Sequence, residues 1–185
     1  MATMQTTKTH SGGRVKAYPA PKQLATRTDL TQDEVKAITE ALNPLIADAF
    51  ALYVKTKNFH WHLSGSHFRD YHLLFDEHAD AIFGAIDILA ERVRRVGGTT
   101  IRSISHISQL QTINDDNDEF VSPGNMVRRL MDDNAHLAKA QRAAHDVCEK
   151  NRDVATASEL EIIIDQTERR TWFLFEVAQG LDNTD

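Results

Sequence analysis

The stretch that decides the fold is His72-Leu-Leu-Phe-Asp-Glu-His-Ala-Asp-Ala-Ile-Phe-Gly-Ala-Ile-Asp-Ile-Leu-Ala-Glu91. It contains two pairs of side chains that can bind metal, His72 with Asp76 and Asp87 with Glu91, placed symmetrically about its centre. At about 100° per residue, all four side chains fall within roughly 100° of a helix surface. Apolar residues occupy the opposite arc. The stretch therefore predicts one long helix with a core-facing side and a ligand-bearing side.

The two pairs cannot bind the same ion within one straight helix. A rise of about 1.5 Å per residue separates His72 from Asp87 by roughly 22 Å. If a second copy of the helix packs antiparallel across a two-fold axis, His72 and Asp76 of one chain face Asp87 and Glu91 of the other. The stripe thus predicts two identical metal sites shared between two chains. A solvated acidic face with an incidental histidine is the alternative, and the stripe alone leaves it open.

A second segment, just upstream, argues against that alternative. The run Lys57-Asn-Phe-His-Trp-His62 places two imidazoles and two aromatic rings within six residues, which is not typical of a solvated helix face. Imidazole nitrogen combined with carboxylate oxygen suits ferrous iron, and carboxylates also stabilise the ferric product. The two segments together favour a site that handles iron in both oxidation states.

Helical periodicity over the whole chain predicts four long helices and one short one. The predicted ranges are 31–61, 66–96, 123–150 and 153–179 for the long helices and 104–113 for the short one. Ser122 is placed to cap the third long helix with Pro123 in its first turn, and Gly180 is placed to end the fourth. The long connection from 97 to 121 can cross the length of a bundle. The sequence therefore predicts an all-α, up-down four-helix bundle with one crossover that carries the short helix.

The ligand-bearing segments resemble those of the Dps-type miniferritins, twelve-subunit ferroxidases that sequester iron. Counted from His60, the ligand-type residues follow at 12, 16, 27 and 31 positions, which is similar to the family's register. The resemblance extends more loosely from Asp29 to Leu181. It implies a ferritin-like bundle assembled into a hollow dodecameric shell. Its motifs are Asn58-Phe59-His60-Trp61, His72-Leu73-Leu74-Phe75-Asp76-Glu77, Asp87-Ile88-Leu89-Ala90-Glu91-Arg92 and Gly97-Gly98.

The resemblance also implies a set of iron ligands, each at a matched position. These are His60, His72, Asp76, Asp87 and Glu91. Asp87 and Glu91 of one subunit would bind the tighter iron with His60 and Asp76 of the other, and His72 would complete a weaker second position. Two complete Glu-x-x-His motifs, typical of di-iron centres within one subunit, are absent from the sequence.

The resemblance also implies that catalysis takes place at these iron ligands. His60, Asp87 and Glu91 would act on the iron, and Trp61 beside it would donate an electron and limit radical escape, with core packing as the alternative role for this tryptophan. Ferrous iron would be oxidised by hydrogen peroxide or dioxygen and the ferric mineral stored inside the shell, which protects against oxidative damage. Zinc is a candidate substitute metal, with His67 as an additional ligand. His78 is expected to be a hydrogen-bonded packing residue.

The first 28 residues form a separate unit by composition. Five cations lie there with no acidic residue before Asp29, and they are Lys8, Arg14, Lys16, Lys22 and Arg27. Because the whole chain has a net charge of −6, the remainder has −11 and would repel DNA. The segment is predicted to be a flexible basic arm that binds DNA without sequence preference, and a solvated tail is the alternative. Residues 29–181 are the expected bundle domain, and 182–185 a short acidic tail.

Composition limits the remaining function classes. A chain of 185 residues with 41% hydrophobic content suits one domain with a substantial core. No run of 18 apolar residues and no apolar leader is present, so a soluble cytoplasmic protein, with the nucleoid as an alternative location, is expected rather than a membrane protein. The single cysteine, Cys148, excludes an intrachain disulfide. A structural nucleoid protein that mainly compacts DNA, and a bundle scaffold without chemistry, are the alternatives to a ferroxidase.

Overall fold

The computed structural model describes residues 20–179 and Leu181, and these residues form helices and connecting segments without a β-strand. A 3-10 turn at Lys22–Leu24 precedes five helices. They are α1 (Gln32–His62), α2 (Phe68–Arg95), α3 (Ile104–Leu110), α4 (Pro123–Lys150) and α5 (Val154–Gln179). The predicted bounds of the long helices agree within two residues. The predicted cap at Gly180 and the acidic tail lie outside the described residues.

Two helical hairpins make the bundle. α1 packs along α2 and α4 along α5, and further contacts between α1 and α4 and between α2 and α5 close the four-helix core, while α3 lies against α1. The core is filled by large apolar side chains with almost no exposure, among them Ile38, Leu42, Ile46, Leu52, Phe59, Phe75, Ile82, Leu89, Leu130 and Leu160. Cys148 is also buried there, and burial raises the pKa of its thiol to about 12. The predicted four-helix bundle with one crossover is confirmed.

The short helix α3 ends three residues earlier than predicted because a buried carboxylate takes over its backbone amides. Asp48 of α1 is 1% exposed and accepts hydrogen bonds from the amides of Thr112 and Ile113. Its second oxygen accepts a bond from the Thr112 hydroxyl at 2.8 Å. The crossover is thereby fastened to α1 near the middle of the bundle. Sequence periodicity could not reveal this, because the partner lies 64 residues away.

Capping side chains and glycines fix the ends of α1, α2 and α4, and the Ser122 cap can be predicted from the sequence. Thr31 and Glu34 form a reciprocal capping box at the start of α1, and Ser122 caps α4 as predicted. Gly97, with φ of +101°, ends α2 in a left-handed turn. At Gly98, a Cβ would lie 2.1 Å from Thr39 Oγ1, so only glycine lets the end of α2 approach α1 this closely.

By length and composition alone, α1 would be able to cross a membrane. In its most apolar 18-residue window, however, 56% is buried inside the bundle, and the core-facing residues account for its apolar character. The other described helices do not pass the same test.

Candidate metal centre

Two imidazoles meet where α1 ends and α2 begins. The rings of His60 and His72 stack with their centroids 3.7 Å apart and their planes 20° from parallel. His60 Nδ1 lies 2.8 Å from the His72 carbonyl oxygen, and His72 Nδ1 lies 3.1 Å from the His60 carbonyl oxygen. A carbonyl oxygen only accepts, so each Nδ1 carries the hydrogen. This leaves Nε2 of each ring as the nitrogen that can offer its lone pair to a metal ion.

A carboxylate joins these imidazoles one turn further along α2. Asp76 Oδ1 lies 3.9 Å from His60 Nε2, so the His60 lone pair and the carboxylate converge. The same oxygen accepts a hydrogen bond from Lys57 Nζ at 2.5 Å. That bond holds the pKa of Asp76 below its usual value and raises the pKa of Lys57. The Asp76 carboxylate is thus ionised, and it already neutralises the positive charge of Lys57.

The structure does not bring the second predicted pair to this cluster. Asp87 and Glu91 lie three to four turns further along α2, and both side chains are exposed. Glu91 pairs with Arg95 one turn on, and Asp87 faces a groove. A single chain therefore presents two halves of the predicted ligand set, His60, His72 and Asp76 in one and Asp87 and Glu91 in the other.

Between the two halves, one large apolar side chain lies on the exposed face of α2. Phe83 is 54% exposed, although its exposed neighbours on this face include the acids Asp80 and Asp87. Beside it a groove of about 680 Å³ runs between α1, α2 and the crossover, and most of its lining is apolar. Its lining residues include Ile46, Phe50, Phe83, Ile86, Asp87, Ile101, Ile104 and Ile107. An apolar groove of this size with an exposed phenylalanine at its edge is typical of a protein interface.

The aromatic residues near the imidazoles have different surroundings. Phe59 is buried at 1% exposure, and Phe68 stacks on His72 with centroids 5.0 Å apart. Trp61, the predicted electron donor, is 64% exposed and points away from the core of its own chain. Core packing, the alternative considered for Trp61, is therefore wrong. Its place beside iron stays a prediction.

The other predicted residues are placed as follows. His67 is exposed and stacks on Tyr71. His78 is buried as expected, but its Nδ1 has no hydrogen-bond partner among the described residues. Burial, assisted by the charges of Arg170 and Arg169, lowers the pKa of His78 to about 4. Its ring is therefore neutral at pH 7.

Of the predicted DNA-binding residues, Lys22 and Arg27 are exposed and make no ion pair with any other residue in the described range 20–179. Lys8, Arg14 and Lys16 lie outside the described residues. The segment around Leu24 and Thr26 is hydrogen-bonded to the end of α2, where Arg94 both donates and accepts.

The sequence does not predict two groups of charged side chains that the structure brings together. One is Lys57, whose spacing of three residues from His60 places it on the same side of α1, where it binds the Asp76 carboxylate. A cluster of His145, Asp146 and Glu149 on α4 brings three ligand-type atoms within 4.8 Å of one another. Two of its members are exposed, as helix-end acids commonly are, and we assign it no role.

Comparison with known proteins first defines the class of protein to which this chain belongs. The family model described as Ferritin-like domain matches residues 39–183 of this chain. The solved structure of the DPS protein from Vibrio cholerae O1, described as a member of a broad superfamily of ferritin-like diiron-carboxylate proteins, matches with a TM-score of 0.77 and 25% identity, covering 82% of this chain and 96% of that one. The predicted ferritin-like fold class is confirmed.

Two further similarities define the family. The DNA protection during starvation protein of Brevibacillus brevis is 34% identical over 133 residues, which cover 72% of this chain and 89% of that protein. The structure of DpsC from Streptomyces coelicolor matches with a TM-score of 0.79 and 27% identity, covering 82% of this chain and 88% of that one. This chain belongs to the Dps family of ferritin-like proteins.

Proposed function

We propose that the protein is a ferroxidase that oxidises ferrous iron at sites shared between two subunits. One observation supports this above all others. The reciprocal Nδ1 hydrogen bonds of His60 and His72 leave Nε2 of both rings available as metal ligands, and the ionised Asp76 carboxylate lies beside that of His60. This half-site has nitrogen and oxygen ligands suited to ferrous iron but too few of them for a closed coordination sphere. Asp87 and Glu91 of a second subunit would supply the rest.

The apolar groove and the exposed Phe83 of α2 support the pairing geometry. An antiparallel contact of two α2 helices about their midpoint would cover Phe83 on both copies. The same contact would place Asp87 and Glu91 of each copy opposite His60, His72 and Asp76 of the other. An isologous contact of this kind forms two identical sites at once. We infer a homo-oligomer built on this dimer, with a hollow dodecameric shell as the complete assembly.

The proposed reaction takes one electron from each of two ferrous ions. Hydrogen peroxide accepts both electrons and two protons and leaves as two water molecules, while dioxygen is the alternative oxidant. The carboxylates of Asp76, Asp87 and Glu91 stabilise the higher charge of the ferric product. Lys57 releases Asp76 when iron binds, because the ammonium and the cation compete for the same oxygen. When only one ferrous ion is bound, Trp61, next to His60, would donate the second electron that hydrogen peroxide needs and so limit radical escape.

Ferric product would then collect as mineral inside the shell. Removing ferrous iron and peroxide together protects against oxidative damage, and the cytoplasm, next to the nucleoid, is where we infer that this happens. Zinc would bind the same nitrogen and oxygen ligands as a substitute and would not be oxidised, since it has no accessible redox step.

The direct test uses the purified protein mixed anaerobically with ferrous iron. Adding hydrogen peroxide should produce ferric absorbance much faster than in protein-free buffer, and prior incubation with zinc should suppress it. Oxidation no faster than in buffer would overturn the ferroxidase proposal and favour a structural role.

A second function, non-specific DNA binding, is proposed for the basic arm of residues 1–28. Lys22 and Arg27 are exposed and free of ion pairs within the described residues, so both are available to phosphates. Many arms on one shell would bind multivalently even if each contact is weak. A nucleoid protein that mainly compacts DNA would need only this arm.

Changing all five arm cations to glutamine is expected to abolish DNA binding and leave iron oxidation unchanged. This variant keeps the chain and its contacts to Arg94, which a deletion would remove. The measurement is a gel shift at increasing salt concentration, because phosphate contacts weaken steeply with salt. DNA retardation equal to that of the unmodified protein would show that the arm is not the DNA-binding element.

A further inference from the structure

A buried guanidinium in α5 has no carboxylate partner. Arg170 is 5% exposed, and its Nε and Nη2 donate to Asn134 Oδ1 at 2.9 Å and to Thr167 Oγ1 at 2.8 Å. Both acceptors are neutral, and no ion pair forms between Arg170 and another residue in the described part of the chain. Burial lowers the pKa of Arg170 to about 10, so the side chain is still charged at neutral pH. A buried charge without a counter-ion is costly, and an anion would relieve that cost.

This guanidinium borders a cleft between α2 and α5. The cleft has a volume of about 350 Å³, far more than the roughly 30 Å³ that one water occupies. Three of its six α2 residues, Ala81, Gly84 and Ala85, are small, and a Cβ on Gly84 would meet nothing within 4 Å. The complete lining is Glu77, His78, Ala81, Gly84, Ala85, Ile88, Gln166, Arg169 and Arg170. Space is therefore available directly beside the buried charge.

The polar groups of the cleft are mainly hydrogen-bond donors. His78 is 4% exposed, lines the cleft and has a buried Nδ1 without a partner. Gln166 contributes an amide, and Arg169 contributes a second guanidinium that also stacks on Phe173. An unpartnered nitrogen in a nearly buried ring next to a charged guanidinium is unusual, because buried polar groups are normally satisfied. The tautomer with a hydrogen on Nδ1 would donate to a ligand oxygen. A ligand with several acceptor oxygens would satisfy both the ring nitrogen and the guanidinium.

Glu77, the carboxylate at the cleft, does not act as the counter-ion of Arg170. Glu77 is 59% exposed at the mouth, and its Oε1 lies 3.5 Å from both Nη atoms of Arg169, which is long for a charge-assisted hydrogen bond. It forms no ion pair with Arg170. Arg169 is thus held loosely and can turn towards a second anion, while Arg170 stays uncompensated.

We propose that this cleft binds a tetrahedral oxyanion, inorganic phosphate, between Arg170, Arg169, Gln166 and His78. Two guanidiniums match the oxygen geometry of phosphate and supply charge-assisted hydrogen bonds. The site lies on the α5 side of α2, separate from the ligand stripe, and does not depend on the proposed iron chemistry. Phosphate bound only to the folded protein would also stabilise it.

The test uses the assembled, chelator-treated protein, because residual ferric iron would bind phosphate on its own. Equilibrium dialysis should show saturable binding of one inorganic phosphate per subunit. Thermal unfolding should shift upwards with phosphate and not with sodium chloride of equal ionic strength.

Two variants and a control locate the site. Arg169→Gln should weaken phosphate binding about tenfold, the loss expected for one charge-assisted hydrogen bond, whereas Arg142→Gln, which removes an exposed cation elsewhere in the bundle, should not. Gln166→Glu is nearly isosteric and should abolish phosphate binding while raising the unfolding temperature in phosphate-free buffer, since the new carboxylate supplies the missing counter-ion. A higher unfolding temperature would show that phosphate binding was lost without damage to the fold.

Three results would overturn the proposal. They are no saturable binding at millimolar phosphate, equal affinities of Arg169→Gln and Arg142→Gln, and unchanged phosphate binding in Gln166→Glu. Because iron is absent throughout, failure here would leave the ferroxidase proposal standing.

Discussion

The variant in which Asp87 and Glu91 are both changed to alanine is expected to oxidise ferrous iron about a hundredfold more slowly than the unmodified protein. Removing the outer partners of metal ligands already costs about 10- to 100-fold, so the loss of two proposed ligands should cost at least as much. The measurement is the initial rate of ferric absorbance after peroxide is added to anaerobic ferrous protein.

Asp80→Ala is the matched control for this variant. Asp80 is an exposed acid on the same face of α2, between the two proposed ligand pairs, but it is not a proposed ligand. Its removal should leave the rate within about twofold. Asp87, Glu91 and Asp80 are exposed in the single chain, so each substitution should change the stability of the isolated subunit by only about 0.5 kcal/mol. If Asp80→Ala and the double variant slow the reaction equally, general surface charge rather than ligation controls the rate.

The second large effect is expected at Asp153, which connects the end of α2 to the start of α5. Its carboxylate is 5% exposed and accepts hydrogen bonds from Arg92 Nη2 at 2.7 Å and from the Thr156 amide at 3.1 Å. Thr156 Oγ1 donates to the same carboxylate and accepts from Arg92 Nε at 2.8 Å. Asp153→Ala should lower the free energy of unfolding by about 3–5 kcal/mol, because it leaves the Arg92 guanidinium unpaired and removes the cap of α5.

Denaturant unfolding at a fixed protein concentration measures this loss, since the stability of an oligomer depends on concentration. Asp153→Asn should lose less, because the amide oxygen still accepts from Thr156. Asp146→Ala, at an aspartate that is 84% exposed, should change stability by about 0.5 kcal/mol or less. A loss at Asp153→Ala within 1 kcal/mol of that at Asp146→Ala would contradict this account of the network.

The helices could be predicted from the sequence because their signals are local. Apolar periodicity defined α1, α2, α4 and α5, and Ser122 with Pro123 marked the start of α4 within the sequence itself. The early end of α3 could not be predicted, because Asp48 acts on it from another helix. Contacts between residues distant in sequence leave no periodic pattern.

The same distinction applies to the candidate metal centre. Spacing along α2 separated the two ligand pairs, and the structure keeps them apart within one chain. The tautomers of His60 and His72 depend on carbonyl groups across the hairpin, so only the structure supports them. The unpaired charge of Arg170 was likewise invisible, because a lone arginine in a helix gives no sign that its partners are neutral.

The most direct test of shared sites combines two inactive variants in one assembly. One is Asp87→Ala with Glu91→Ala, and the other is His60→Gln with Asp76→Asn, each disabling a different half-site. Co-expressed at equal levels, they should form mixed pairs in about half of the dimers, and each mixed pair holds one intact site. We predict that each variant alone is nearly inactive and that the mixture recovers about a quarter of the unmodified oxidation rate. A mixture no more active than the two variants measured separately would contradict a site shared between subunits.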